Sequence, residues 1–345
     1  MADLAIVILA AGKGTRMLSS KQKILHDVGG RPMVSHVFEA AVQVADLPPH
    51  LIVGPGEHGV QDLFGGRATY AVQEQRLGTG HATMTAAPAL EGRSRQVLVT
   101  YADMPLLRPE TMASLAKLQR ASGAAVTMLT VMGDPSSTYG RVVRNEKGQV
   151  VEIVEVAEAK QRPDGQDILA IRELNAGVYC FDAAWLWSNL DQLPLRQARS
   201  GQEYYLTDMV GLAVEQGRIV EAMAVEDAGE CLGAGTRAEM VLVEKAFRRR
   251  ANDRWLSAGV TIVDPDATYI DQTVTIGRDT VIWPGTYLQG KTTIGQSCSL
   301  GPNAIIRDAT VGDDCLIEQA VVERCKIKDA TEVPPFSYLV DINKD

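Results

Sequence analysis

The chain has 345 residues and a formal net charge of −9, and 46% of its residues are hydrophobic and 22% are charged. This length suggests two domains, and the hydrophobic fraction is high enough for a packed core, which argues against a disordered chain. The net acidity argues against nucleic acid or an anionic membrane as the main partner. A local cluster of cations can nevertheless bind a phosphorylated substrate.

The cysteines and the N-terminus indicate the compartment. There are five cysteines and none forms a CxxC pair, so they are interpreted as thiols in a reducing environment rather than as a disulfide framework. The apolar run at residues 4–9 is too short for a signal peptide, and no run approaches the roughly 20 residues of a membrane span. We therefore expect a cytoplasmic protein without a membrane partner.

The first part of the chain alternates two kinds of segment. Short apolar runs typical of buried strands lie at residues 4–9, 51–54, 97–101 and 124–131, and amphipathic stretches typical of helices lie at 32–44 and 109–121. This alternation predicts an α/β domain over residues 1–232, with a Rossmann-like, mostly parallel sheet and helices on both faces. Ligands of such sheets bind beyond the carboxyl ends of the strands.

A change of pattern follows this domain. Residues 237–257 combine apolar positions with many charges and predict one long helix, which we assign as a linking helix over residues 233–258. Its basic triplet, Arg248, Arg249 and Arg250, is interpreted as a solvated helix face in preference to a phosphate site.

The last segment, residues 259–345, contains a short repeat. Aliphatic residues recur in steps of six, with a few steps of five, at Ile276, Ile282, Leu288, Ile294, Leu300, Ile306, Val311, Ile317, Val322, Ile327 and Val333. This hexapeptide pattern predicts a short left-handed parallel β-helix of about three coils, in which the aliphatic residues point inward. Because hexapeptide helices commonly form trimers, we expect a homotrimer.

The most informative segment is residues 9–17, LAAGKGTRM, which directly follow the first predicted strand. Small residues let the backbone approach a ligand closely, and successive N–H groups can hold phosphate oxygens. Lys13, Arg16 and, seven residues later, Lys23 add positive charge. The spacing fits neither a Walker A loop nor a dinucleotide fingerprint. We predict a phosphate-binding loop of another type.

This loop resembles the signature of the nucleoside-diphosphate-sugar pyrophosphorylases. Further motifs, in order, resemble the bacterial uridylyltransferases that act on N-acetylglucosamine 1-phosphate. The motifs are KILH at 23–26, Gln73 with LGTGHA at 77–82, YADMP at 101–105, YGR at 139–141, IVE at 153–155, ELNAG at 173–177 and EYYLTD at 203–208. The resemblance covers the first domain, the linking helix and the first hexapeptide coils.

The resemblance implies a reaction. UTP and N-acetylglucosamine 1-phosphate would form UDP-N-acetylglucosamine, a precursor for cell wall and lipopolysaccharide biosynthesis, and pyrophosphate. The sugar phosphate would attack the α-phosphorus in line, so catalysis is mainly positioning and charge neutralisation. Two alternatives stay open: another sugar 1-phosphate or nucleoside triphosphate, and a non-catalytic regulator that binds a nucleotide sugar. The presence of Arg16, Lys23 and Asp103 argues against the regulator.

The resemblance also implies roles for individual residues. Arg16 would stabilise the departing pyrophosphate, Lys23 would hold a transferring phosphate, and Asp103 would bind Mg²⁺, with a helix N-cap as the alternative for Asp103. His81 is interpreted as structural. The implied nucleotide-binding residues are Leu9, Ala10, Ala11, Gly12, Gly14, Gln73, Gly78, Thr79 and Tyr101, with Gln73 on the uracil edge, and the implied sugar-binding residues are Gly140, Glu155 and Asn175.

Several positions depart from the family pattern. Ala102 replaces a glycine and is expected to add a methyl group beside the nucleotide, and Gln22 replaces a proline before Lys23. Gly235 stands where the family has an asparagine that supplies the second protein ligand of Mg²⁺. The lysine-bearing segment that follows the glutamate in the family is absent after Glu155. These departures put the identity of the sugar and the catalytic efficiency in question.

A second activity of the family is expected to be missing. Bifunctional members carry a longer β-helix, whose later coils acetylate glucosamine 1-phosphate with acetyl-CoA. This chain ends soon after residue 335, and its five histidines are His26, His36, His50, His58 and His81, all in the first domain. The β-helix therefore offers no histidine as a general base. We expect a segment for assembly, without acetyltransferase activity.

Overall fold

The computed structural model describes residues 1–198 and 201–342. These form two compact units. The first comprises Met1–His26 and Met33–Arg237, and the second comprises Asp27–Pro32 and Ala238–Asp345. The division of the chain at residues 232 and 258 stays a prediction from the sequence.

The first 257 residues contain most of the helices and the longer strands. The strands are β1 (Ala2–Leu9), β2 (Asp27–Val28), β3 (Arg31–Pro32), β4 (His50–Val53), β5 (Thr69–Val72), β6 (Ser94–Tyr101), β7 (Val126–Met132), β8 (Arg141–Arg144), β9 (Val150–Val154), β10 (Glu173–Asp182), β11 (Leu195–Ala198), β12 (Gly201–Tyr204) and β13 (Val220–Ala224). The α-helices are α1 (Met33–Val42), α2 (Gly59–Phe64), α3 (Gly78–Met84), α4 (Ala87–Leu90), α5 (Pro109–Ser122), α6 (Val156–Ala159), α7 (Gly165–Ala170), α8 (Ala183–Asn189), α9 (Asp208–Glu215) and α10 (Arg237–Ser257).

The main sheet of the first unit has the strand order β13-β7-β10-β6-β1-β4-β5, and β8 and β9 branch from β10. Strand β10 runs antiparallel to both of its neighbours, β6 and β7, and the other strands of the order share one direction. The predicted mostly parallel sheet is therefore confirmed. The carboxyl ends of β1, β4, β5 and β6 lie at one edge of it.

Both faces of this sheet are covered. Leu4, Ile6 and Ile8 of β1 pack into one hydrophobic cluster, and Ala5 and Val7 pack into a second cluster on the other face. Successive strand residues point to opposite faces, so an uninterrupted apolar strand is stabilised only when both faces are buried. The two packed faces fix the edge from which the loops after β1, β4, β5 and β6 emerge.

The second unit is built from very short strands. They are β14 (Thr261–Ile262), β15 (Tyr269–Ile270), β16 (Thr275–Ile276), β17 (Val281–Ile282), β18 (Tyr287–Gln289), β19 (Thr293–Ile294), β20 (Ser299–Leu300), β21 (Ile305–Arg307), β22 (Thr310–Val311), β23 (Leu316–Ile317), β24 (Val321–Glu323), β25 (Lys326–Ile327), β26 (Glu332–Val333) and β27 (Tyr338–Val340). Every third strand pairs in parallel, which gives three sheets, β14-β17-β20-β23-β26, β15-β18-β21-β24-β27 and β16-β19-β22-β25.

The three sheets confirm the predicted left-handed parallel β-helix. All eleven aliphatic residues that the hexapeptide pattern placed inside belong to its single buried core. The helix is longer than the predicted three coils because Ile262 and Ile270 already line this core. Ile270 lies six residues before Ile276 and so continues the repeat, whereas the step from Ile262 to Ile270 is eight residues because a 3-10 turn at Pro265–Ala267 intervenes.

The basic triplet of α10 does not form one surface. Arg248 is buried, and its guanidinium carbon lies 4.5 Å from the centre of the Tyr269 ring, whereas the Arg249 side chain is 80% exposed. The solvated-face interpretation therefore holds for Arg249 and is wrong for Arg248, which stabilises the start of the β-helix. Within the described part of the chain, no helix combines the length and the apolar character that a membrane span requires.

Candidate functional site

A cleft of about 540 Å³ opens in the first unit, where the loops after β1, β5 and β6 meet. All nine residues predicted to bind the nucleotide line it, together with Lys23 and Asp103. The remaining lining residues are Lys13, Thr15, Ile24, Arg76, Ala82 and Glu203. A second cleft of about 500 Å³ in the same unit contains none of the predicted site residues.

The loop after β1 presents unused backbone donors. Ala10 still donates to the carbonyl of Ile52 at 2.8 Å, whereas the N–H groups of residues 11–14 have no acceptor within the described residues. Gly14 has φ 60°, and a Cβ atom there would lie 2.5 Å from Cβ of Lys23, so only glycine fits. Consecutive free N–H groups form a concave site for anions.

Lys23 and Asp103 form an ion pair at the cleft. Lys23 Nζ lies 2.5 Å from Asp103 Oδ2, and the two side chains are 16% and 20% exposed. Asp103 follows the carboxyl end of β6, where the topology of the sheet places ligands. The alternative that Asp103 caps a helix is wrong, because α5 begins at Pro109 with Arg108 at its N-cap.

The donors around Asp103 limit what metal could bind. Within the described residues there is no group of three or more His, Cys, Asp or Glu side chains that could hold a metal ion. The backbone N–H of Ala234 donates to the carbonyl of Asp103 at 3.2 Å, so the segment with Gly235 lies beside it but offers no carboxamide. This set fits a hard cation that takes most of its ligands from phosphate oxygens and water.

Gln73 lies at the end of β5 with a defined orientation. Its Nε2 donates to the Gly78 carbonyl at 3.0 Å and lies 3.1 Å from Nδ1 of His81. Burial lowers the pKa of His81, which favours the neutral ring, and Nδ1 accepts from Gln73 in the tautomer that carries its hydrogen on Nε2. Both amide hydrogens are then used, and the side-chain carbonyl of Gln73 remains free to accept a hydrogen bond from a ligand.

Tyr101 and the loop at residues 78–79 close the cleft. Thr79 Oγ1 accepts from the N–H of Leu206 at 3.0 Å and hydrogen-bonds to Tyr101. Burial raises the pKa of the Tyr101 hydroxyl strongly, and the negative charges of Glu155 and Asp103 add to this shift. Gly78 has φ 89°, and a Cβ atom there would lie 2.6 Å from the carbonyl oxygen of Tyr204, so a side chain is excluded.

Two predicted residues lie differently from expectation. Arg16 is exposed in a 3-10 turn, Thr15–Met17, and does not line the cleft. Ala102 is fully buried in a core cluster and is likewise not a lining residue. The expectation that Ala102 adds a methyl group beside the nucleotide is therefore wrong, because this side chain points into the core.

The three predicted sugar-binding residues lie together. A Cβ atom on Gly140 would be 3.2 Å from Glu155 Oε1, and the N–H of Asn175 donates to the Gly140 carbonyl at 2.9 Å. Burial, then the charges of Glu158 and Asp208, raise the pKa of Glu155. None of the three lines the cleft, but the charge of Glu155 acts on Tyr101, which does.

Asn175 has a fixed orientation within this group. Its Oδ1 accepts from the N–H of Gly177 at 3.0 Å and from the hydroxyl of Tyr179 at 2.9 Å. Because the carbonyl side of the amide is occupied, Nδ2 is the atom that remains for a ligand.

No role was predicted from the sequence for three polar residues near the loop, although Glu203 belongs to the motif at residues 203–208. Arg76 and Glu203 line the cleft, and Arg76 Nη2 lies 2.8 Å from Glu57 Oε1. Arg76 lies between Gln73 and Gly78 in the sequence, and this position could have indicated that it lines the cleft. Glu57 follows β4, and its closeness to the loop after β1 depends on strand order, which the local sequence does not specify.

Both units of the chain are similar to known protein families. Residues 6–200 match the model of the MobA-like NTP transferase domain, and residues 273–308 match the bacterial transferase hexapeptide model of six repeats. Three similar curated relatives, all named bifunctional protein GlmU, come from an Exiguobacterium species, Exiguobacterium sibiricum and Heliobacterium modesticaldum. They are 44%, 41% and 39% identical over 333 residues, which is 96% of this chain and 72%, 73% and 71% of the relatives.

A solved structure supports the fold. CMP:2-keto-3-deoxy-manno-octonic acid synthetase complexed with CTP superposes with a TM-score of 0.53 at 22% identity, over 73% of this chain and 99% of that chain. At this identity the likeness concerns the fold alone. The relatives are named bifunctional and the hexapeptide region is present, so the expected lack of the acetyltransferase part is not confirmed.

Proposed function

The chain belongs to the family of bifunctional GlmU proteins, and we propose that it is a uridylyltransferase. It joins UTP and N-acetylglucosamine 1-phosphate to form UDP-N-acetylglucosamine and pyrophosphate. The observation that carries this proposal is the cleft at the edge of the sheet. There, free backbone donors and Lys23 lie in the same cleft as Gln73, an amide of fixed orientation.

The loop and its cations serve the phosphates. The N–H groups of residues 11–14 and the exposed Lys13 bind the triphosphate, and Lys23 neutralises charge on the transferring phosphate. An oxygen of the sugar phosphate forms a bond to the α-phosphorus while the bond to pyrophosphate breaks. Arg16, exposed just beyond the lining of the cleft, neutralises the leaving pyrophosphate. No side chain needs to form a covalent intermediate.

Gln73 reads the base through its carbonyl oxygen. Both hydrogens of its amide are used by Gly78 and His81, so this atom acts as an acceptor. Uracil carries a hydrogen on N3 that it can donate to this oxygen, whereas cytosine has an unprotonated N3 and offers a donor only at its exocyclic N4 amino group, one position away on the ring. The site therefore prefers UTP to CTP.

The cofactor we propose is Mg²⁺, held by Asp103 and completed by phosphate oxygens and water. When bound, it polarises the phosphoryl group and offsets negative charge on the triphosphate. Gly235 supplies no side-chain ligand, so the substrate contributes a larger share of the coordination. We expect metal affinity to depend strongly on bound UTP.

The sugar lies against Gly140, Glu155 and Asn175. The free Nδ2 of Asn175 donates to the carbonyl of the acetyl group, and the carboxylate of Glu155 accepts from sugar hydroxyl groups. Gly140 leaves the space beside Glu155 open, since a Cβ atom there would crowd its carboxylate.

The test is pyrophosphate release with a panel of nucleoside triphosphates and sugar 1-phosphates in the presence of Mg²⁺. We expect the highest kcat/KM for UTP with N-acetylglucosamine 1-phosphate. Release only with another pair would favour the alternative substrate. Binding of UDP-N-acetylglucosamine without turnover of any pair would favour the non-catalytic regulator. No observation of the site favours either alternative.

The proposal includes a homotrimer formed through the β-helix, and a cytoplasmic location. Exposed aromatic residues of this unit support association, since Trp283, Tyr338 and Phe336 are 41%, 72% and 86% exposed. All five cysteines are free and buried, as expected in a reducing compartment. Light scattering of the purified chain should give three times the mass of 37.2 kDa, and a monomer would contradict the assembly.

A narrower part of the proposal concerns acetyl transfer. No histidine occurs after His81, so residues 259–345 offer no imidazole as a general base. We expect this chain to leave glucosamine 1-phosphate unchanged in the presence of acetyl-CoA. Release of free CoA that depends on glucosamine 1-phosphate would contradict this.

A further inference from the structure

Three polar residues form a connected group behind the loop that follows β1. Glu57 Oε1 accepts from Arg76 Nη2 at 2.8 Å, and Glu57 Oε2 accepts from Gln22 Nε2 at 3.1 Å and from the N–H of Gly54 at 3.1 Å. The Glu57 and Arg76 side chains are 22% and 24% exposed, so the ion pair is largely shielded from water. The carboxylate of Glu57 thereby holds a guanidinium and a carboxamide at fixed positions.

Gln22 and Arg76, the two residues that donate side-chain hydrogen bonds to Glu57, also donate to the backbone of the loop. Gln22 Nε2 donates to the carbonyl of Ala10 at 3.3 Å, and Arg76 Nε donates to the carbonyl of Ala11 at 2.6 Å. A planar guanidinium presents its donors in a rigid fork, so Arg76 can bond Glu57 and Ala11 at the same time. We name this group, Gln22, Glu57 and Arg76, the loop clamp.

Because the peptide bond is planar, the hydrogen bonds to these two carbonyls also fix the direction of the neighbouring N–H groups. In a planar trans peptide, the carbonyl of one residue and the N–H of the next point in opposite directions. Fixing the carbonyls of Ala10 and Ala11 therefore fixes the N–H groups of Ala11 and Gly12, which point away from the clamp. These N–H groups have no acceptor within the described residues.

On this basis we propose that Gln22, Glu57 and Arg76 are positioning residues that hold the loop N–H groups ready for the triphosphate of the nucleotide. This inference rests on the proposed function and deepens it, because the clamp acts on the nucleotide and not on the sugar phosphate. Preorganised donors bind an anion without the cost of ordering the loop.

The sequence around the clamp supports this role. Gln22 stands directly before the 3-10 turn Lys23–Leu25 with a φ of −55°, and its side chain supplies the amide donor of the clamp. Gly54 makes room for the pair, since a Cβ atom there would overlap both Arg76 Nη2 and Glu57 Oε2. Substitution of Gln22, Gly54 or Arg76 can therefore loosen the clamp.

The test is steady-state pyrophosphate release by the full chain carrying Arg76→Lys, Gln22→Glu or Gly54→Ala. Lysine keeps the charge of Arg76 but cannot bond Glu57 and Ala11 as a fork, and glutamate at position 22 removes the amide donor. We expect Arg76→Lys to raise the KM for UTP about tenfold and the other two changes about threefold, with kcat and the KM for N-acetylglucosamine 1-phosphate nearly unchanged.

A matched control is Arg67→Lys, because Arg67 forms a similar pair with Glu39 on the exposed surface, away from the lining of the cleft. Thermal unfolding of each variant separates lost stability from lost positioning. The clamp would be overturned if Arg76→Lys and Gly54→Ala left the KM for UTP unchanged. It would also be overturned if the KM for UTP and the KM for N-acetylglucosamine 1-phosphate rose equally.

Failure of the proposed function can be distinguished from failure of the clamp. If the unsubstituted chain released no pyrophosphate from any substrate pair, equilibrium dialysis with labelled UTP would still test the clamp. Weaker UTP binding by Arg76→Lys than by Arg67→Lys would support it. Equal binding by the two variants, or no binding of UTP by the unsubstituted chain, would overturn it.

Discussion

The two units of this protein use their polar groups in opposite ways. In the β-helix, Thr280, Thr286 and Thr292 are fully buried, and each hydroxyl donates to a backbone carbonyl of the coil. In the α/β unit, the N–H groups of residues 11–14 have no acceptor within the described residues, and the Lys23–Asp103 pair lies at an open cleft. The coils pair these three hydroxyls internally, and the first unit keeps some backbone donors free for a ligand.

This difference separates stability from activity. Free backbone donors stabilise the folded chain less than paired ones, and they are tolerated where a substrate pairs with them. The β-helix has a repeated, self-satisfied interior, which suits a role in assembly. Substitutions at the cleft should therefore affect turnover, and substitutions inside the coils should affect stability.

The largest expected effect is at Asp103. Asp103→Asn keeps the shape of the side chain but removes its charge, so it should lower kcat by a factor of about a thousand or more. The trimer should be unaffected, and thermal unfolding should change only through the loss of the ion pair with Lys23. Asp134→Asn, at an exposed carboxylate, is the control. Unchanged turnover in Asp103→Asn would place the metal elsewhere.

In the β-helix, the expected loss is stability. Leu288 is fully buried in the core of the coils, so Leu288→Ala should lower the free energy of unfolding by about 2–5 kcal/mol. Denaturant unfolding measures this, with Lys291→Ala, at an exposed position of the β-helix, as control. The KM for UTP should stay constant. A large change in that KM would contradict the prediction that substitutions inside the coils affect stability and not turnover.

Acid should act on the first unit through His50. Burial lowers the pKa of His50 to about 4 from 6.5, so the unfolded chain takes up a proton between these values and the folded chain does not. The stabilisation is present above pH 6.5 and is lost as pH falls through about 4, a change of about 3 kcal/mol. His50→Asn should remove this part of the pH dependence.

The matched control for acid sensitivity is His58→Asn, at an exposed histidine of the same unit. Its unfolding free energy should follow that of the unsubstituted chain from pH 7.5 to 4. If His50→Asn showed the same slope as the unsubstituted chain, another group would be responsible.

The smallest expected effect is on base selection. His81→Ala removes the acceptor that fixes the amide of Gln73, so the preference for UTP over CTP, measured as the ratio of kcat/KM values, should fall about tenfold. His58→Ala should leave this ratio unchanged. A constant ratio in His81→Ala would show that the Gly78 carbonyl alone orients Gln73.

The two units also differ in how far their structures could be predicted. A period of six needs only local sequence, so all eleven inward residues of the β-helix were predicted correctly. Ile262 could not be predicted from the period, because the turn at Pro265–Ala267 breaks the spacing, whereas Ile270 fits the period of six and was overlooked. In the α/β unit, apolar runs predicted β1, β4, β6 and β7, whereas the reversed direction of β10 depends on long-range pairing.

The candidate site was predictable where one loop carries it. Residues 10–14 and 103 follow the ends of β1 and β6, so their gathering at one edge follows from a parallel sheet, whereas residues 78–79 begin α3, six residues after the end of β5. Ala102 was misjudged, because which side of the chain points into the core just after β6 depends on packing. The partnership of Glu57 with Arg76 joins the loops after β4 and β5, and neither segment alone indicates it.

The central claim is that the cleft of the α/β unit transfers a uridylyl group between two phosphates. ³¹P NMR of the purified chain with UTP, N-acetylglucosamine 1-phosphate and Mg²⁺ tests it directly. We predict that UDP-N-acetylglucosamine and pyrophosphate appear in equal amounts as both substrates disappear. Unchanged spectra, or the release of orthophosphate without a nucleotide sugar, would contradict it.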